Sequence, residues 1–191
     1  MAKKILMISG HPRKWSLCDA LATSYVTGAQ ESWHSTRSIT LSEYPDLNYN
    51  LIEWEEDEDL IRASWREDIL RADHLMFVFP TRRYTVPGCL KGWFDKIFVP
   101  KFSHQYTGYM KWKKLLSGRT GRVISTCGWP RFTYIATLGH PGIKWIRWTM
   151  RFVGIKPKRK KLFSKLAPWL RTEREIQEII AKVKDYGSRA W

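Results

Sequence analysis

One local pattern recurs along the chain: a short apolar run, a turn, then a stretch whose apolar residues return at helical spacing. Ile5–Ser9 reads as a first strand and Ser16–Ser32 as the helix after it. Thr36–Leu41 alternates enough for a second strand, followed by a turn-rich connection at Tyr44–Asn48 and a helix over Glu53–Arg71. His74–Phe79 is a third strand stopped by Pro80, with a helix over Val86–Phe98. Val123–Thr126 is a fourth strand, followed by a helix at Pro141–Val153. Ile155–Phe163 is a fifth strand, and Thr172–Tyr186 a closing helix with Thr172 and Glu175 spaced as a capping box. Strands that alternate with helices demand a parallel sheet covered on both faces, because each crossover helix lays its apolar stripe back on the sheet. The expected architecture is α/β, a doubly wound sheet of five parallel strands in a single domain spanning residues 1–191.

No apolar run reaches the roughly 18 residues a membrane span needs. Ile5–Ile8 is too short for a signal peptide, so the reading is cytoplasmic. Cys18, Cys89 and Cys127 are odd in number and widely spaced, which fits buried inert thiols without a disulfide or metal. Six carboxylates, Glu53, Glu55, Glu56, Asp57, Glu58 and Asp59, gather where a helix begins. They suit the positive end of its dipole, and no metal site is expected there.

In a doubly wound sheet, ligands bind beyond the carboxyl ends of the strands, at the switch in strand order. The loop after strand one, from Gly10 and His11 through Pro12, Arg13, Lys14 and Trp15 to Ser16, Leu17 and Cys18, joins a close turn to a helix start. Free N–H groups there, beside two cations, suit a phosphate. After strand three, Pro80 and Pro87 bracket Thr81, Arg82, Arg83, Tyr84 and Thr85 in a loop that can present backbone amides and an aromatic ring to a flat heterocycle. After strand four come Thr126, Cys127, Gly128 and Trp129, then Tyr134 and His140. A Tyr and a His at one strand end can donate hydrogen bonds to charge developing on a ring oxygen.

These segments resemble the flavodoxin-like NAD(P)H:quinone oxidoreductases, and the related bacterial ancillary flavoproteins of potassium-efflux systems. The resemblance lies in the Gly-His-Pro…Ser loop, in the Phe-Pro…Pro…Leu-Lys-Gly-Trp-Phe-Asp-Lys-Ile-Phe stretch from Phe79 to Phe98, in the His140-Pro141-Gly142 step and in the Tyr44–Asn48 turn. It implies strand order 2-1-3-4-5, a bound FMN or FAD, NADPH or NADH as donor, a quinone-like acceptor, and a homodimer with the site at its interface. It implies that His11, Ser16, Leu17 and Cys18 lie against the flavin phosphate, and that Pro80, Thr81, Arg82, Arg83 and Tyr84 flank the ring. Thr126, Cys127 and Gly128 would close its other edge, with Tyr134 and His140 as the catalytic pair.

The chain departs from the family at Arg82-Arg83, where relatives carry tryptophan or similar groups, and at the bulky Trp33 and Trp129. Its charge is also lopsided. Residues 1–100 carry 12 Lys or Arg against 14 Asp or Glu, and residues 101–191 carry 21 against 4. The helix Gly142–Val153 sets Lys144, Arg147 and Arg151 beside Trp145, Trp148 and Phe152, a pattern that suits an anionic membrane surface as well as a helix packed on the sheet. Two further readings stay open on these residues. One is a catalytically weak partner-docking subunit at a membrane transporter; the other is a basic binder of lipid or nucleic acid without redox chemistry. No helix-turn-helix, zinc-finger or RNA-binding signature accompanies the charge, so nucleic acid is the weakest partner class.

Overall fold

Apolar residues in β-rich runs form strands here because both sides of each run find a helix to cover them. The computed structural model describes residues 1–45, 60–132, 136, 139–166 and 171–190. Its elements in order are β1 (Lys4–Ser9), α1 (Leu17–Glu31), β2 (Ser35–Thr40), a 3-10 turn (Leu41–Glu43), α2 (Leu60–Arg71), β3 (His74–Pro80) and α3 (Gly88–Ile97). There follow β4 (His104–Gly108), β5 (Lys111–Lys114), β6 (Thr120–Thr126), α4 (Pro141–Val153), β7 (Lys156–Phe163) and α5 (Glu173–Ser188).

Five strands pair in the order β2-β1-β3-β6-β7, and every pairing is parallel. Counting the sheet strands alone, this is the order 2-1-3-4-5. The sheet's pleat divides the core in two. Ile5 and Met7 of β1, with Met76 and Val78 of β3, face Leu21, Tyr25, Ile179 and Val183 of α1 and α5. Leu6 and Ile8, with Leu75, Phe77 and Phe79, face the other way onto Ile69, Leu90, Trp93, Ile146 and Met150 of α2, α3 and α4. The central strands read as unbroken apolar runs because both faces are buried.

The ends of the elements refine the sequence reading. Ser16 caps α1 and does not enter it, and Thr172 caps α5 through the expected box with Glu175. Leu41 belongs to the 3-10 turn after β2. The helix expected from Val86 starts at Gly88, because Pro87 lies outside it in an extended conformation. The fourth sheet strand starts at Thr120 and not Val123; Gly121 and Arg122 hide the pattern, yet both are buried. Glu53–Asp59, with their acidic cluster, and Asp46–Asn48 of the turn lie outside the described residues.

Two elements were not anticipated. β4 and β5 form an antiparallel hairpin apart from the main sheet, with Tyr106 opposite Trp112. At the sheet's edge, β7 exposes Lys156, Lys158, Arg159 and Lys160, charges that discourage another strand from pairing there. Among the described residues, no helix is long and apolar enough to cross a membrane.

Candidate functional site at the carboxyl end of the sheet

Strand order reverses between β1 and β3, so the loops after these two strands diverge around a crevice. Gly10 sits at the bottom of the first loop, donating its N–H to the Val78 carbonyl at 2.8 Å. A methyl group there would lie 2.6 Å from Leu90 Cδ2 and 3.1 Å from its Cβ, so glycine lets the Leu90 side chain of α3 pack against this turn. The largely buried His11 ring is held by the Arg13 N–H, which donates to Nδ1 at 2.9 Å.

The Ser16 hydroxyl accepts from the Asp19 N–H at 3.2 Å and donates to Asp19 Oδ2 at 2.9 Å. Asp19 also accepts from the Ser16 N–H and from the Ser9 hydroxyl. The Ser16 side chain is therefore committed to capping α1. Among the described residues nothing accepts from the N–H groups of Leu17 and Cys18, the next two of the helix. With Arg13 exposed in the same loop, they are the donors this loop has to offer a phosphate. The Cys18 side chain turns inward, with Sγ 3.5 Å from Thr126 Oγ1, so only its backbone faces the crevice.

After β3, Thr81 is tied to β6 twice: its N–H donates to the Thr126 carbonyl at 2.7 Å, and its hydroxyl meets Ser125 Oγ at 2.9 Å. Arg82 and Thr85 then exchange both backbone hydrogen bonds at 2.9 Å. The two residues between them, Arg83 and Tyr84, have φ of 42° and 72°. This is a tight hairpin turn of the type that ordinarily takes Asn-Gly. Here the left-handed positions carry an arginine and a tyrosine, at a conformational cost of about 1 kcal/mol or more each. Arg82, Arg83 and Tyr84 are all exposed at the tip.

After β6, the Cys127 N–H donates to the Phe163 carbonyl at 2.9 Å, and the Leu166 N–H to the Cys127 carbonyl at 3.1 Å. Cys127 is thus used up in fastening this loop to the segment after β7, whereas Gly128 is exposed. His140 precedes α4 with φ of 60° and accepts the Lys144 N–H through its carbonyl at 3.0 Å. Gly142 lies against the backbone of Thr85 and Val86, so the start of α4 and the loop after β3 touch. Tyr134 lies outside the described residues.

Burial holds both histidines below the usual imidazole pKa, and cations add to the effect: Arg82 and Arg13 at His11, and Arg131, Lys160 and Lys144 at His140. The mouth of the crevice is therefore electropositive and its histidines neutral near pH 7. The thiols are the reverse of activated. Burial pushes Cys18 up to about 12, and raises Cys89 and Cys127 as well. The sequence reading did not single out Arg131, and it placed Lys144 only among the cations of a helix face; only the fold brings their charges to bear on His140.

Comparison with known proteins agrees with this fold. Human ribosyldihydronicotinamide dehydrogenase [quinone] is 26% identical over 121 residues, 61% of this chain and 51% of that protein. The chain thus matches only about half the length of this curated relative. Among solved structures, the NAD(P)H:quinone oxidoreductase of Methanothermobacter marburgensis superposes with a TM-score of 0.77 at 18% identity, covering 99% of this chain and 96% of that one. The FMN-dependent NADH-azoreductase of Bacillus anthracis, solved with FMN, gives 0.73 at 20% identity, covering 99% of each chain. A family model described as flavodoxin-like fold matches residues 3–186, and the chain belongs to that family.

Proposed function

We infer that the protein is a flavin-dependent NAD(P)H oxidoreductase that passes hydride through FMN or FAD to a quinone or a similar two-electron acceptor. It would act as one domain over residues 1–191 and as a homodimer in the cytoplasm. The observation that carries this reading is the pair of unclaimed N–H groups at Leu17 and Cys18, beside Arg13 and at the switch point of a parallel sheet. The kinship with quinone-reducing and FMN-dependent proteins supports it. The Bacillus anthracis neighbour holds FMN, which makes FMN the flavin to test first.

The residues fit such a group in two places. Leu17, Cys18 and Arg13 offer donors to a phosphate, and the exposed residues of the Arg82–Thr85 turn and Gly128 would flank a flat ring. When bound, the flavin supplies two-electron hydride chemistry, while the protein orients and compensates charge. Arg82 and Arg83 would offer positive charge beside the bound ring, and their guanidinium groups would favour the phosphate-bearing donor NADPH over NADH. His140, kept neutral by burial and neighbouring cations, would donate one N–H hydrogen bond to the acceptor oxygen. Tyr134 is assigned the companion role on resemblance.

The deciding experiment is a visible spectrum after loading with FMN or FAD and removing the excess. Retained flavin bands that bleach with NADPH and return with a quinone would establish the reading. A protein that retains neither flavin would end it.

A further inference from the structure

The amino end of the sheet, a strand's length (~20 Å) from the crevice, gathers cations from separate parts of the chain. Lys3 and His34 stand immediately before β1 and β2, Thr120 opens β6, and Lys158 and Arg159 lie early in β7. Arg189 follows the end of α5. These six residues line one cavity of about 690 Å³, and among the described residues no carboxylate side chain shares the lining.

Structural duties account for only part of this charge. The Lys3 ammonium donates to the Ala190 carbonyl at 2.8 Å. His34 accepts the Lys3 N–H at Nδ1 (3.2 Å), and its Nε2 meets the Ser188 carbonyl at 3.3 Å. These bonds close the carboxyl end of α5, where cations suit the helix dipole. Arg189 is paired with Asp185 at 2.8 Å. Closing α5 asks nothing of β7, yet Lys158 and Arg159 are brought to the same cavity. Protection of the sheet edge explains charge on β7, but not its convergence with Lys3 and Arg189.

The residues beside the cavity wall add to the imbalance. Arg159 is the register partner of Arg122 on β6, so two like charges stand opposite each other on adjacent strands and repel. Burial lowers the Arg122 pKa and Arg159 adds to it, while Tyr25, Tyr186 and Asp185 oppose. Asp185 is already shared with Arg189. Thr120 Oγ1, in the wall, is 2.8 Å from Nδ1 of the buried His74. The His74 Nε2 and the Arg122 Nε are both buried without a partner. Converging cations beside an unsatisfied buried N–H form an environment that an oxyanion completes.

We propose that this cavity binds a small molecule carrying two or more phosphate charges, at a site separate from the crevice. Arg159 and Arg189 can meet phosphate oxygens with paired N–H donors, and Lys3 and Lys158 add point charges. The wall is concave and drawn from five chain segments, which suits a compact ligand. A nucleic acid would call for cations spread along its backbone. Binding offsets the repulsion between Arg122 and Arg159, so it raises the stability of the folded chain. The site does not depend on the flavin.

The test is titration of the full chain with pyrophosphate at constant ionic strength, followed by calorimetry and by the imidazole NMR signals of His34 and His11. His34 marks this cavity, and His11 marks the crevice, whose phosphate loop is the competing site. Saturable binding that moves His34 and leaves His11 in place is expected, with affinity falling as salt rises. Lys158→Gln/Arg159→Gln changes two exposed side chains and should fold as the parent does by circular dichroism, yet lose at least about tenfold in affinity. Arg174→Gln/Lys182→Gln, which removes the same charge elsewhere on α5, should bind as the parent does. Movement of both histidines, with only the His34 response lost in the Lys158/Arg159 variant, means two sites and sustains the proposal. Movement of His11 alone places the probe in the crevice and overturns it. An equal loss from the α5 variant, which reduces the effect to net charge, also overturns it, as does the absence of saturable binding. Duplex DNA that binds through Lys158 and Arg159 where pyrophosphate does not saturate assigns the cations to nucleic acid instead.

Discussion

Gly142, the second residue of α4, lies so close to Thr85 that a methyl group on it would come 3.1 Å from the Thr85 carbonyl carbon and 3.3 Å from its Cα. Both atoms are backbone, so no rotamer change relieves the contact. Gly142 therefore fixes how near the start of α4, with His140 two residues before it, comes to the Arg82–Thr85 turn. Gly142→Ala should destabilise the fold by about 1–2 kcal/mol, less whatever alanine returns in helix propensity. It should also weaken flavin retention by pushing the turn aside. Urea midpoints and flavin titration read the two effects separately, and a variant unchanged in both would show that the approach is not tight in solution.

Arg83 and Tyr84 hold left-handed backbone in a turn suited to Asn-Gly. Arg83→Gly should therefore stabilise the chain by about 0.5–1 kcal/mol, since glycine adopts this φ without a Cβ clash. The same change removes a guanidinium from the mouth of the crevice. The expected outcome is a higher melting temperature together with a higher KM for NADPH and a smaller effect on NADH. A stabilised variant with an unaltered preference between the two donors would remove Arg83 from donor recognition and leave only the strain.

Much of this was readable before any coordinates. The continuous apolar runs of β1 and β3 announced a sheet covered on both sides, and the alternation of elements announced parallel pairing. The three loops at the carboxyl end of the sheet, after β1, β3 and β6, were located because the order of elements says where they must lie. What escaped has physical reasons. The β4–β5 hairpin buries almost nothing, so its sequence shows no core-facing alternation, and lysines interrupt what pattern exists. The start of β6 escaped because Arg122 reads as a surface residue, although it is buried with its guanidinium 4.1 Å from the centre of the Tyr186 ring. Ser16 and Cys127 were expected at the ligand, yet the hydroxyl of one caps α1 and the backbone of the other fastens the loop after β6. Spacing in sequence does not reveal such prior commitments.

His74 is fully buried at the start of β3, bonded through Nδ1 to Thr120 Oγ1 at 2.8 Å. Its Nε2 has no partner. Burial, with Lys3, Arg122 and His34 adding to it, lowers its pKa to about 3. In the unfolded chain an imidazole titrates near ~6.5. Above that value both states are neutral and the full stability is present. As the pH falls from there towards the folded pKa, the unfolded state takes up the proton first, so stability is lost at up to about 1.4 kcal/mol per pH unit. Unfolding free energy should therefore fall by about 2 kcal/mol between pH 6.5 and 5, and His74→Gln should flatten that slope. An equal slope in the variant would assign the acid sensitivity to other groups.

The closing helix depends on two glycines that face each other's backbones. A methyl group on Gly28 of α1 would lie 2.0 Å from the Lys184 carbonyl oxygen, and one on Gly187 of α5 would lie 1.9 Å from the Tyr25 carbonyl oxygen. Neither helix can yield at a carbonyl, so Gly28→Ala or Gly187→Ala must separate α1 from α5. That would loosen contacts of Leu21, Tyr25, Ile179 and Val183, all in the core on this side of the sheet. Each substitution should cost about 3 kcal/mol or more, beyond the ~1 kcal/mol that alanine returns in a helix. Because both act on one crossing, the two losses should not add: once one methyl has parted the helices, the second meets less resistance. A double variant about as stable as the worse single variant supports this packing, whereas full additivity would mean that the glycines act at independent sites.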